Sequence, residues 1–194
     1  MNTPSHWLMT VVIGKHWQAD ETREKIPKLA LGLGSIAPDL ALYFLSFGGI
    51  AYYGQVLGWP AQDVGQYLFK FLYYHDPWWI GLHNFLHSPT MLLLLMATCL
   101  GLSKRWGWRP WLRWLAYFLA ACMLHSAVDI VTHNDDGPVL FFPFEWHTRF
   151  SSPVSYWDSD HFGRPFAVFE IALNLFLIAY LVRHYFRQKR NKTG

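Results

Sequence analysis

Three short stretches of this sequence carry imidazoles and carboxylates at helical spacing. The first is His125-Ser-Ala-Val-Asp129-Ile-Val-Thr-His133. Side chains four apart share one helix face, so His125, Asp129 and His133 point the same way. Imidazole nitrogen and carboxylate oxygen are the usual donors to zinc, iron or manganese. Inside an apolar helix such groups are rare and mark function. The plainer reading is a polar pair between helices, with His125 donating to Asp129. The second stretch, His83-Asn-Phe-Leu-His87-Ser-Pro, again sets two histidines four apart. Its plainer reading has His83 at an interface and His87 bonded to a backbone carbonyl.

The third stretch is Gly34-Ser-Ile-Ala-Pro38-Asp39-Leu40. Pro38 suits the first turn of a helix. A carboxylate among so many apolar residues needs a partner, because burying it alone costs several kcal/mol. A cation would serve, and so would a helix N-terminus capped by Asp39. His6, in an apolar context, is either a ligand or a packed histidine. Glu170 lies within an apolar run and can act on the site or orient a histidine. His16, His75, His147, His161 and His184 read as loop or interface residues. Asp135-Asp136-Gly137-Pro138 reads as a turn with solvated charge, the alternative being that either aspartate assists the site, and Glu145 and Asp158 fall in the same polar segment.

The elements that must position these groups are membrane helices. The chain has 194 residues, 53% hydrophobic and only 15% charged, against roughly 25% in soluble domains. Aromatics reach 19%, with 11 Trp, the type that collects where lipid meets water. The expectation is an all-α fold: one domain over 1–194, a polytopic bundle of about four transmembrane helices with short interfacial helices. The spans are placed at 29–53, 82–102, 111–131 and 165–182, the second being clearest because no Asp, Glu, Lys or Arg lies between Asp76 and Lys104. Residues 6–13 are too short to span. The stretch from Gln18 to Lys28 reads as a charged loop. Residues 54–81 read as an amphipathic surface helix plus a loop, and 133–164 as a long outer loop of the kind that is often functional. No cleavable signal peptide is read at the start.

Lys104, Arg105 and Arg109 lie between the second and third spans, and the basic run 183–192 follows the fourth. The positive-inside rule puts both on the cytoplasmic side, with both termini inside. His83, His87 and the His125–His133 segment then fall at the same outer depth. Trp78, Trp79, Trp146 and Trp157 form an outer aromatic belt; Trp106, Trp108, Trp111 and Trp114 form an inner one. Asp39 falls near mid-membrane, and His6 further from the outer face. The net charge of +3 is small and gathered at the ends, so nucleic-acid binding is not expected. Cys99 and Cys122 sit in apolar runs as small hydrophobes, which excludes a disulfide framework or a cysteine zinc site.

With these segments assembled, the chain resembles the membrane-bound metal-dependent hydrolases of bacterial inner membranes, a family more distantly similar to zinc-dependent phospholipases C and single-strand nucleases. The Gly34–Leu40, His83–Pro89 and His125–Phe144 segments carry the resemblance in the family's order. It implies an all-α fold, a divalent metal, zinc in the first place, on Asp39, His83 or His87, His125 and Asp129, and hydrolysis of a phosphoester. His6 would match the N-terminal ligand of the soluble relatives. The metal set expected is therefore His6, Asp39, His83, His87, His125, Asp129 and His133, with Asp129 and Glu170 as catalytic carboxylates.

The expected activity is metal-assisted hydrolysis of a membrane lipid or phosphoester at the outer interface; the oligomeric state is left open. The alternative is a non-enzymatic membrane protein whose His/Asp cluster is a structural metal site or polar network. A transporter would spread its ligands through the membrane, and these gather at one end. A lipid phosphate phosphatase would carry Arg six residues before the histidine, where Leu119 stands.

Overall fold

The computed structural model describes residues 1–18 and 25–193. Part of the charged loop expected after Gln18 thus lies outside the described residues. Helices α1 (Thr3–Gln18) and α2 (Lys28–Gly49) come first, and α2 continues as a π-helical segment, Ile50–Val56. A turn at positive-φ Gly58 leads into α3 (Ala61–Gln66), which runs through a second π-helical segment, Tyr67–Leu72, into α4 (Tyr73–His75). Then follow α5 (Pro77–Asn84), α6 (Pro89–Trp106), α7 (Pro110–Thr132), a 3₁₀ turn at Ser159–His161 and α8 (Gly163–Thr193). Among the described residues there is no β-strand beyond an isolated bridge between Val139 and Arg149. The all-α expectation is met. Three helical stretches, Lys28–Val56, Pro110–Thr132 and Gly163–Arg190, are long and apolar enough to cross a membrane, and the bent pair α5–α6 can make a fourth.

That pair differs from the straight span expected over 82–102. The axis bends by 50° between Asn84 and Pro89. Local chemistry sets the break: Pro89 opens α6 without an N–H to satisfy, and the Ser88 hydroxyl caps it by accepting from Met91 N. The amide of Asn84 closes the other side, donating to Ile80 O and accepting from Val139 N, both at 2.8 Å. Every backbone polar group freed by a break in an apolar environment needs such a partner. Residues 61–75 form the expected amphipathic helix: Val64, Leu68 and Leu72 are buried on one face and most of the others are exposed. They fold back along the C-terminal half of α2, where Leu68 and Leu72 pack with Leu42 and Leu45. Trp79 joins that core and is buried, so it leaves the expected outer belt, whereas Trp78 and Trp157 are exposed as expected.

The pairings fix directions. Ser35 and Asp39 of α2 both meet His125 of α7, and Gly34 lies against Phe118 and Ala121, so α2 and α7 run parallel. Cys99 Sγ of α6 donates to Leu112 O of α7 while Ser126 of α7 donates to His87 O, so these two run antiparallel. Thr3 bonds Asp39 while Trp7 lies near Gly32, which makes α1 antiparallel to α2. Asn2 and Ser5 bond Glu170, and His16 stacks on Tyr180 at 5.2 Å, which lays α8 parallel to α1. One end of the bundle therefore gathers Lys15, His16, Arg183 and Arg187 with the α6–α7 turn, and the histidine cluster lies in the other half together with the Met1 amino group; the start of α1 and the end of α8 thus lie in opposite halves, not on one side as expected.

Candidate metal centre

Parallel packing of α2 on α7 removes the depth conflict read from the sequence. Asp39 stands roughly 16 Å along α2 from Lys28, which is the level of His125, because the two helices meet there: Asp39 Oδ1 is 3.3 Å from His125 Nε2. The close approach depends on Gly34, where an added Cβ would lie 2.9 Å from Ala121 Cβ and collide with the carbonyl of Phe118. Small residues at helix contacts serve this purpose in membranes. His6 reaches the same level by the antiparallel course of α1, and its ring stacks on His125 with centroids 3.7 Å apart.

Asp129 is the hub. Its Oδ1 lies 2.9 Å from His6 Nε2, and its Oδ2 lies 3.0 Å from both His87 Nε2 and His125 Nε2. All four residues are buried or nearly so, Asp129 with 1% of its surface exposed. His6, His125 and Asp129 each offer a donor atom within 4.8 Å of the other two. The amino group of Met1 also bonds Asp129 and Thr132, each at 2.9 Å.

Backs of the rings decide what the fronts can do. His125 Nδ1 lies 2.8 Å from Ser35 O, a carbonyl that can only accept, so this nitrogen carries the hydrogen. In the neutral ring Nε2 is then a lone pair, and it faces two carboxylates. His87 differs, because no carbonyl fixes its tautomer and its Nε2 can donate to Asp129. Its Nδ1 lies 3.2 Å from His83 Nε2 while its Nε2 faces Asp129. Lone pairs turned toward carboxylate oxygens repel each other unless a cation lies among them: the Met1 ammonium serves Asp129 Oδ1, and a metal ion or a ring proton would serve the His125 side. Donors bound to a tetrahedral zinc at about 2.0–2.1 Å stand roughly 3.3 Å apart, and the spacings here run from 2.9 to 3.3 Å. Ordinary hydrogen bonds give the same spacings, so the set could hold a cation without naming it.

His83 stands behind His87 rather than at the hub, with Tyr73 Oη 3.3 Å away; that hydroxyl donates to Asp136 O at 2.6 Å. His133 is at the edge, its Nε2 3.5 Å from Asp129 Oδ1 and its Nδ1 3.1 Å from Asp136 Oδ1. Burial opposes a charge on His133, but bonds to Asp129 and Asp136 outweigh it and raise its pKa; Asp136, half-buried, is lowered despite desolvation by His133 and by the Trp157 N–H at 2.7 Å. Asp136 is therefore not the solvated turn charge expected. Glu170 touches none of the hub residues: it accepts from Asn2 N at 2.8 Å, Asn2 Nδ2 at 2.7 Å and Ser5 Oγ at 2.7 Å, which anchors the start of α1. Sequence reasoning passed over the carbonyl of Ser35, the hydroxyls of Thr3, Tyr73, Ser126 and Thr132, and the role of Asp136. The small pair Gly34-Ser35 was the available signal for the first of these.

A cavity of about 470 Å³ opens onto the cluster, bordered by Asp39, His87, Asp129 and His133 on its inner side. A second cavity, about 600 Å³ and mostly apolar, lies toward the basic end and touches none of the cluster.

A helical bundle with apolar spans around a buried His/Asp cluster defines an integral membrane protein with a group that could hold a cation. The chain matches the YdjM inner membrane protein family over residues 1–190 and belongs to it. No curated protein and no solved structure matches the chain. The inner-membrane part of the expected resemblance is thereby met. The hydrolytic part does not come with this family.

Proposed function

We propose that this protein is a metal-dependent hydrolase of the inner membrane, with zinc the first candidate, acting on a phosphoester or lipid-type ester. His6, His125 and Asp129 would hold the cation, with Asp39 and His87 completing the set. The observation that carries the reading is the His125 ring: its Nδ1 hydrogen is spent on Ser35 O at 2.8 Å, and its Nε2 is aimed at Asp39 and Asp129. When bound, such a cation supplies Lewis acidity toward a water and toward an ester oxygen. The chain's own part is orientation. Ser35 fixes the His125 tautomer, His83 backs His87, and Asp136 backs His133, as partners of ligand imidazoles commonly do. Asp129, which borders the cavity with Asp39 and Asp136, would take a proton there; Glu170 acts through α1, by seating His6.

Orientation follows from charge. The basic end belongs in the cytoplasm by the positive-inside rule, which turns the cluster toward the outer half of the membrane and puts the end of α8 inside. The test is turnover of phosphoester and carboxylester panels by purified zinc-loaded protein. Hydrolysis that a chelator abolishes, zinc restores and Asp129→Asn removes is the expected result. Stoichiometric metal with no turnover on any ester would overturn the enzymatic reading and favour a structural metal.

A further inference from the structure

We infer that the cavity beside the cluster takes an amphiphile with an anionic phosphate ester head, bound at Lys70, whose single apolar chain leaves sideways between α2 and the Tyr67–Leu72 segment. Calling this amphiphile a substrate rests on the hydrolytic reading above; its binding does not.

The cavity has two unlike ends. Its inner end is closed, at His87 and Asp129, which are 3% and 1% exposed. Its mouth is open, at Lys70, Tyr43 and Phe69. Lys70 supplies the lysine or arginine charge among the residues bordering the cavity, whereas Asp39, Asp129 and Asp136 are all acidic. The Met1 ammonium at the inner end is engaged with Asp129 at 2.9 Å, so Lys70 is the cation that an anionic head meets at the mouth. Arg149 adds positive field from behind, its guanidinium 4.8 Å from the centre of the Tyr73 ring.

The mouth is also greasy. Lys70 interrupts the run Tyr67-Leu-Phe-Lys-Phe-Leu72, which otherwise packs on α2 or faces outward. Leu42 borders the cavity from α2, and Phe44 and Phe47, 74% and 69% exposed, lie farther along that helix. A mouth serving only water-soluble esters would not need such a flank. A charge placed just inside an apolar wall suits a molecule with one charged end and one apolar end, presented from the lipid.

The experiment measures calorimetric binding to the full chain purified in dodecyl maltoside, with dodecyl phosphate, inorganic phosphate and dodecyltrimethylammonium as probes and Lys70→Gln as the variant. Dodecyl phosphate should bind at least tenfold tighter than inorganic phosphate, and the cationic amphiphile should not saturate. Lys70→Gln, an exposed change that leaves every metal-site residue in place, should weaken dodecyl phosphate about tenfold with zinc content unchanged. Equal binding of the two phosphates would overturn the chain half of the proposal. An unaltered Lys70→Gln variant would overturn the head half and leave Lys70 as a side chain merely reaching for headgroups. Zinc content, read on the same samples, separates the two ideas. Lys70-dependent binding by metal-free protein would sink the hydrolytic reading alone, and full zinc without dodecyl phosphate binding would sink this one alone.

Discussion

The two halves of α7 are packed by different physics. Toward Pro110 the helix is joined to α6 by an apolar core of Leu92, Cys99, Leu112, Leu119 and Cys122, all buried. Toward Thr132 the same helix buries His125, Ser126, Asp129 and Thr132 against α1, α2 and the break between α5 and α6. The first half is held by shape, and a lost methylene there costs packing. In the second half a lost partner strands a charge or lone pair among buried polar groups. The apolar half tolerates change in proportion to volume; the polar half is closed, so one deletion propagates to all its members.

The largest effect is expected at the hub. Asp129→Ala takes away the carboxylate shared by His6, His87, His125 and the Met1 ammonium, at about 3–5 kcal/mol if the network behaves as a broken buried pair. Thermal unfolding in detergent and zinc content should fall together. Leu119→Ala, in the apolar half, should cost about 2–5 kcal/mol through an unfilled cavity yet leave zinc per folded molecule unchanged. If zinc also vanished, the two halves would not be independent. Gly34→Ala forces α2 from α7 at the carbonyl of Phe118. The overpacking cost is about 1–3 kcal/mol, and zinc affinity should drop with it, because Ser35 O and Asp39 are carried on the displaced helix. The smallest effect is expected from Ser126→Ala, which removes the 2.6 Å bond to His87 O. It should cost about 1 kcal/mol, read by denaturation, with zinc retained.

The same contrast explains how far the sequence could be read. His125, Asp129 and His87 were legible because helical spacing and the rarity of charge in apolar helices are local signals. The long apolar spans were legible for the same reason, although α2 runs on as a π-helix past the boundary set at residue 53 and α8 continues to Thr193. His6 was ambiguous because α1 is too short to span; only its fold back along α2 brings the ring onto His125. The break before Pro89 was signalled by Ser88-Pro89, yet the apolar count outweighed it. Asp136 was misjudged because what partners it is distant in sequence: the 133–162 segment returns onto α7, with Tyr156 N donating to Thr132 O at 2.9 Å, and so carries Trp157 to the carboxylate. Glu170 looked catalytic because an intramembrane carboxylate usually is, and its bonds to Asn2 and Ser5 arise from a packing of α8 on α1 that no local pattern announces.

Metal content decides the central claim most directly. Purified protein incubated with zinc and dialysed should retain it near stoichiometrically, and zinc-edge absorption should report nitrogen and oxygen donors only. His125→Ala, shown folded by its unfolding transition, should lose the metal. Wild-type protein that is folded and yet holds no zinc, iron or manganese under these conditions would contradict the account, and would leave a protonated His125 between Asp39 and Asp129 as the cation that closes the network.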